Sequence, residues 1–405
     1  MTARSALHSV PGSQWVDDRA DAATIPFHQP DITDREVESV VEVLRSGWLT
    51  TGEKAAAFES AFAARVGAAH GVALSSCSAA LHLALDAVGV GPGDEVIVPA
   101  MTFAATAAAA VHCGARPVLA DICADDHTVD PAAVERLCGP RTKAIVTVGF
   151  GGQAARMEPI LALARGRGIA VVDDAAHAFP ARYRGRMVGS LADVTCFSFY
   201  ATKTISAGEG GMATTDREDY ARRIRLMGSH GITRNAHARN GDANGWAYEV
   251  LEPGWKYNMP DLLAALGLAQ LARADAMWRR RRSIAMRYAA ALAGCDAIEP
   301  ILPRAECEHA WHLFVARICP ERLALGRDGF IEALHARGVQ CSVHFIPLHL
   351  QPWYRDRMTG GSDPCPVATE RYRRSLSLPL YSSLRDDQVE RVIEAVLDVA
   401  RRWRR

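Results

Sequence analysis

The chain has 405 residues, 49% of them hydrophobic and 23% charged, the balance of an ordinary globular protein with room for two or three domains. Its 46 basic and 46 acidic residues cancel, which excludes the basic excess of a nucleic-acid binder. No stretch reaches about 18 uninterrupted apolar residues, so no ordinary membrane-spanning helix is expected.

Residues 1–24 are polar and aperiodic and read as a loose leader. They lack the basic start and apolar core of a secretory signal, so a cytoplasmic location is expected. Apolar residues then recur at threes and fours through Val37, Val40, Val41 and Leu44, predicting a helix that stops at Gly47. A second helix is predicted over Lys54–Val66. From there strands and helices alternate. Strands are predicted at Gly71–Ser76, Asp94–Ala100, Arg116–Ile122, Lys143–Phe150, Gly168–Asp174, Asp193–Tyr200 and Gly210–Asp216. Several are near-continuous apolar runs, as in strands buried on both faces of a mostly parallel sheet. Residues 25–260 therefore read as one large α/β domain. A long helix over Asp261–Leu292 carries the run Arg279–Arg282, which reads as a solvated face. It leads into a smaller α+β domain, completing 261–405, with short strands at HLFVARI and VQCSVHF and two helices.

Ten cysteines lie scattered with no CxxC pair, as expected of buried free thiols in a reducing compartment. Cys307, His309 and His312 match no standard zinc spacing, and no metal is expected. Gly89-Val90-Gly91-Pro92-Gly93 follows a helix and precedes a strand, the reverse of a dinucleotide-binding turn. There is no P-loop, no GxSxG elbow and no HExxH.

Lysine is the rarest charged residue. Arginine occurs 42 times and lysine four, at Lys54, Lys143, Lys203 and Lys256. The function arginine cannot supply is a neutral amine nucleophile, because a guanidinium stays protonated. Lys54 and Lys143 sit in polar surroundings. Lys203 follows the apolar strand DVTCFSFY, which would carry it into a cleft, and the glycine-rich GEGG comes just after. Two further features lie at strand ends, where open parallel sheets place their ligands. SSCSAAL opens a helix with small and hydroxylated residues, which suits a phosphate. Asp173-Asp174 ends a strand, a place for metal ligands, a cap or a counter-ion. A phosphate cradle, a carboxylate for a pyridinium and an amine that forms an imine are together the three demands of pyridoxal 5′-phosphate.

With these residues the chain resembles the DegT/DnrJ/StrS family of pyridoxal-phosphate aminotransferases, most of which act on keto sugars attached to nucleotides. The matching stretches run in order: GWLTTG, SSCSAALHLAL, GPGDEVIVPAMTFAAT, DDAAHA, GSLADVTCFSFYATKT, GEGGM, GWKYNMPDLLAALGLAQL and VHFIPLHLQPWY. The resemblance implies a fold-type-I transferase, α/β, with a mostly parallel mixed sheet, acting as a homodimer with its active sites at the subunit interface. It implies Lys203 as the imine-forming lysine and proton shuttle, and Asp174 as the partner of the pyridine nitrogen. It places His177 beside the ring and its phenolic oxygen, and Phe103 on the ring face. Ser78 and Ala79 would hold the phosphate, helped by Ser198. Two departures stand out. Many members carry Asn where this chain has Lys256, and that Asn reaches the phosphate of the other subunit. Many also have a His near Gly149.

The sugar dehydratase branch replaces the catalytic lysine by histidine, so Lys203 argues against it. The short connection from Lys203 to GEGG looks more like members that aminate C4 of a hexose. His344 and Arg234 are candidate contacts for sugar or diphosphate. The expected reaction passes an amino group from glutamate or glutamine to a nucleotide-linked 4-keto-6-deoxyhexose, with the cofactor alternating between its pyridoxal and pyridoxamine forms. The alternatives are the same mechanism on a non-nucleotide ketone, such as a cyclitol or antibiotic precursor, or a regulatory protein that binds the cofactor without turnover. The latter usually carries a DNA-binding module, for which a 24-residue leader is too short.

Overall fold

The computed structural model describes residues 24–233, 247–358 and 363–405. Most of the leader and Arg234 lie outside the described residues. In chain order the elements begin with helices α1 (Asp34–Ser46) and α2 (Glu53–Val66). β1 (His70–Leu74), α3 (Cys77–Ala87), β2 (Glu95–Pro99), α4 (Ala104–His112), β3 (Arg116–Ala120), α5 (Pro131–Leu137), β4 (Thr142–Val148), α6 (Met157–Arg167) and β5 (Ala170–Asp174) then alternate. After the short β6 (Arg182–Tyr183) and β7 (Arg186–Met187) come β8 (Val194–Ser198), β9 (Gly211–Thr215) and α7 (Glu218–Met227). The long α8 (Asp261–Leu292) leads to β10 (Ile298–Pro300), β11 (Cys307–Glu308), β12 (Phe314–Ile318), α9 (Arg327–His335), α10 (Pro352–Met358), α11 (Pro366–Arg374), β13 (Ser375–Leu378) and α12 (Asp386–Arg402).

The main sheet has the order β1-β9-β8-β5-β4-β2-β3. β9 runs antiparallel to both β1 and β8, and the remaining pairs are parallel. Every residue of β2 is buried, as the apolar runs imply for a sheet covered on both faces. Two apolar cores sandwich this sheet. A third gathers the C-terminal half of α8 with β10, β12, β13, α9 and α12 around Tyr288, Phe314 and Phe330. α8 thus serves two layers: its first half packs on α1 and α2, its second on the C-terminal elements. No helix among the described residues is long and apolar enough to cross a membrane.

Three local readings change. Arg281 is not on a solvated face. It is 2% exposed and donates to the Leu380 carbonyl at 2.9 Å, because the helical period puts it in line with Met277, Ile284 and Tyr288. VQCSVHF is not a strand. Its strand-type pairings are the single bridges Val339 to Ile25 and Ser342 to Ser377, and its end turns into the wall of the site. Among the described residues the C-terminal region also holds four helices beyond α8 rather than two.

β8 positions the site through strand alternation. Ser198 faces the cavity, while its neighbours Phe197 and Phe199 point to the opposite face. There both rings pack on Phe62 of α2, with centroids at 4.8 and 5.2 Å, and Phe179 adds a contact at 5.0 Å. Phe62 is fully buried. Phe62→Ala is therefore expected to cost about 3–5 kcal/mol of stability in a denaturant titration. A loss under about 1 kcal/mol would show that this cluster does not anchor β8.

Candidate active site

A cavity of about 400 Å³ opens at the carboxyl ends of β4, β5 and β8. Its walls bring together Ser78, Phe103, Asp174, His177, Ser198 and Lys203, with His344 opposite. Residues up to 269 positions apart in sequence, Ser76 and Phe345, meet here.

α3 supplies one end. Ser76 is its N-cap, and Ser76, Cys77 and Ser78 line the cavity at the helix start, where backbone N–H groups lack helical partners. Gly211 of β9 packs against this turn so closely that a Cβ there would lie 2.3 Å from the Ser76 carbonyl carbon. One expected donor is already engaged: the Ala79 N–H donates to Ser76 Oγ at 3.1 Å, the usual N-cap bond, and Ala79 is buried.

β5 supplies the carboxylates, and its alternation separates them. Asp173 turns away from the cavity and accepts from Thr147 Oγ1 at 2.6 Å. Asp174 lines the cavity and accepts from Thr106 Oγ1 at 2.7 Å, from the Ala176 N–H at 3.1 Å and from the Cys77 thiol at 3.9 Å. Burial raises its pKa, and these donors and the Lys203 charge oppose that. Burial also pushes Asp173 up to about 7. The folded protein then holds that proton up to about pH 7, whereas an unfolded Asp releases it near about 4. Stability from this group accordingly falls as pH rises from about 4 to about 7 and is flat above. In the cofactor-free protein, Asp173→Asn should flatten the fall in Tm between pH 5 and 7; curves parallel to the parent would show Asp173 ionised throughout.

Lys203 lies in the loop that follows β8. The loop is tied by Lys203 N–H to Tyr200 O (2.9 Å), Ala207 N–H to Phe199 O (2.8 Å) and Phe199 N–H to Gly210 O (2.9 Å). His28 Nε2 bonds the Ala201 carbonyl at 2.9 Å. Burial lowers the Lys203 pKa, which favours the neutral amine, and the nearby Cys77 and Asp174 counteract it.

The far wall is made of imidazoles and Phe345. His177 stacks on Phe345 with ring centroids 5.6 Å apart, and His312 lies 4.4 Å away. His177 Nδ1 accepts from the Gly151 N–H at 3.3 Å, which leaves its proton on Nε2. His344 Nδ1 bonds Ser377 Oγ at 2.9 Å. Burial and the Lys203 charge push the His344 pKa down to about 4 and those of His177 and His312 well below the ordinary value. These rings are neutral hydrogen-bonding groups at neutral pH.

Phe103 caps α4 at the cavity rim, is 61% exposed and packs tilted against Phe345 with ring centroids 5.9 Å apart. Lys256 does not line this cavity. It lies in a second one of about 270 Å³, with Thr50, Thr51, Arg222, Arg225 and Asn258. Gly149 leaves no space for a histidine, since a Cβ there would lie 2.5 Å from Ala178 Cβ. Cys307, His309 and His312 are not gathered around one point: His309 Nδ1 accepts from the Trp311 N–H at 2.9 Å, while His312 faces His177. Sequence reading passed over Thr102, Thr106 and Phe345, and met His312 only as a metal candidate. The one available signal was Thr106, a lone hydroxyl in the alanine-rich helix AATAAAAVH.

The donor set fits pyridoxal phosphate. An amine of lowered pKa, a buried carboxylate and a hydroxyl-bearing helix start share one cavity. The comparisons agree. The family profile of the DegT/DnrJ/EryC1/StrS aminotransferases matches residues 30–397. The chain is 47% identical over 378 residues to the spore coat polysaccharide biosynthesis protein SpsC of Bacillus subtilis, covering 93% of this chain and 97% of that one. Spr1654 of Streptococcus pneumoniae, solved in its pyridoxamine-phosphate form, superposes with a TM-score of 0.88 at 34% identity, over 93% of this chain and 99% of that one. Its pyridoxal-phosphate form gives 0.87. PseC of Helicobacter pylori, an aminotransferase involved in the biosynthesis of pseudoaminic acid, gives 0.86 at 27% identity, over 94% of this chain and all of that one. With the family match spanning nearly its whole length, the chain belongs to the DegT/DnrJ/EryC1/StrS family of sugar aminotransferases and is a pyridoxal-phosphate-dependent aminotransferase.

Proposed function

We propose that the protein transfers an amino group from glutamate or glutamine to C4 of a nucleotide-linked 4-keto-6-deoxyhexose. The observation that carries this reading is the single cavity in which Lys203, Asp174 and the start of α3 face a wall of neutral imidazoles. Bound there, pyridoxal phosphate supplies an electron sink and, in its amine form, the amino group to be passed on. Asp174 is the counter-ion for the protonated ring nitrogen. His177, with its proton on Nε2, would offer that N–H to the phenolic oxygen. Ser78, Ser198 and the N–H groups at the start of α3 would hold the phosphate, and Phe103 would cover a ring face. The Lys203 amine, of lowered pKa, would hold the cofactor covalently and, when free, serve as the base and acid that moves a proton at Nζ. The neutral side chains of His312 and His344 suit the hydroxyls of an uncharged sugar ring. Only four residues separate Lys203 from Gly208, the short connection that favours C4.

Charge supports a homodimer. Lys203 is the one lysine or arginine among the described residues lining the cavity. A nucleotide diphosphate and the donor's carboxylates need more positive charge than that. The second cavity carries Arg222, Arg225 and Lys256. In the dimer we propose, this face of one subunit closes the cavity of the other, with Lys256 on the partner's cofactor phosphate as a point charge. Lys256→Ala should then raise the cofactor Kd about tenfold in a fluorescence titration, and an unchanged Kd would remove that assignment. The substrate is tested by a donor and acceptor screen. Glutamate or glutamine should bleach the yellow protein, and a 4-keto nucleotide sugar should restore the colour. Restoration by cyclitol ketones but not by any nucleotide sugar would overturn the acceptor.

A further inference from the structure

Asp174 is buried, 5% exposed at the cavity wall, and an ionised carboxylate in such a place needs dedicated donors. Its shortest hydrogen bond comes from Thr106 Oγ1, at 2.7 Å to Oδ2. Thr106 is itself fully buried, in the first turn of α4, where the helix presents its positive end. A hydroxyl has one proton, and that of Thr106 is spent on the carboxylate. The contact of 2.7 Å between Thr106 Oγ1 and Thr102 Oγ1 is therefore a bond donated by Thr102. Thr102 is 2% exposed and borders the cavity. All protons in this chain point toward Asp174, an arrangement in which each bond polarises the next. Thr106 also sits among six alanines in α4, where alanine would favour the helix more.

We propose that Thr102 and Thr106 form a hydroxyl relay that orients Asp174 and holds it as a carboxylate for the ring nitrogen of the cofactor. This rests on the reading of Asp174 as the partner of that nitrogen. Thr106 is a positioning residue that acts through Asp174. The titratable groups around the carboxylate are Cys77 of α3, Asp173 of β5, Cys196 of β8 and Lys203 of the loop after β8. Of these, only Lys203 brings positive charge. Cys77 offers a weak thiol donor at 3.9 Å, so the relay supplies the strongest side-chain support.

The test uses holoenzyme loaded with pyridoxal phosphate carrying ¹⁵N in the ring. In the parent protein and in Thr106→Ser, the nitrogen resonance should be that of a protonated ring from pH 6 to 8. In Thr106→Val it should move toward the neutral-pyridine position, and the acid limb of the kcat profile should rise by about one pH unit. A folded Thr106→Val with an unmoved resonance and an unmoved limb overturns the relay. If Thr106→Val does not fold, Thr102→Ala carries the test: a smaller displacement in the same direction supports the relay, and none overturns it. Asp174→Asn separates the two claims. Loss of ring protonation in Asp174→Asn but not in Thr106→Val leaves the Asp174 reading standing and removes the relay; a ring still protonated in Asp174→Asn removes both.

Discussion

Lys203→Ala is expected to lower turnover by about 10³-fold or more while the protein still takes up pyridoxal phosphate. The side chain is the one amine on the cavity wall, and no other described residue there can both hold an aldehyde covalently and return a proton. Cofactor uptake persists because Asp174, His177 and the start of α3 keep their contacts. Stability should not suffer. Enclosing an amine of lowered pKa is unfavourable, so removing it should leave Tm unchanged or higher. Lys203→Arg should be equally inactive, since a guanidinium stays protonated and cannot act as the nucleophile. Borohydride reduction of the loaded parent protein followed by peptide mapping should find the cofactor on Lys203 and on none of Lys54, Lys143 and Lys256. Transamination retained in Lys203→Ala, or a tag on another lysine, would move the chemistry elsewhere.

The second large effect is expected at Asp174. Asp174→Asn preserves the size of the side chain and removes its charge, so on the proposed role the ring nitrogen would lose the counter-ion that keeps it protonated. Turnover should fall by about 10²–10³-fold, the scale of losing one preorganised electrostatic contact to a reacting group. Cofactor affinity should fall as well, and added cofactor should not restore kcat. Without cofactor the variant should melt no lower than the parent, because an enclosed charge is replaced by a neutral amide. A kcat within about threefold of the parent would remove Asp174 from the chemistry.

The extent to which this site was legible before folding differs residue by residue. Lys203 stood out because four lysines in an arginine-rich chain leave few candidates, and the apolar run before it marked a strand delivering it inward. The start of α3 and the end of β5 were equally local signals: hydroxyls before a helical run, and carboxylates closing an apolar one. Strand alternation also required Asp173 and Asp174 to face opposite sides. Which side held the cavity was not in that pattern. It followed from α3 packing on one face of β5, with Thr106 of the neighbouring α4 reaching Asp174 while Thr147 took Asp173.

Other features depended on segments far apart. Thr106 meets a carboxylate 68 positions away, and the contact of His177 with His312 joins β5 to the approach to β12. The run Arg279–Arg282 reads as polar residue by residue, yet the phase of α8 against the C-terminal core buries Arg281 alone of the four. VQCSVHF has strand composition but finds no partner strand along its length, and it became cavity wall instead. Secondary structure and the chemically scarce residues were settled within single segments, because backbone sterics and side-chain periodicity act over a few residues. The choice of face, the partners of Asp174 and the neutrality of the imidazoles were settled only by packing, because burial and electrostatic environment belong to the assembled chain.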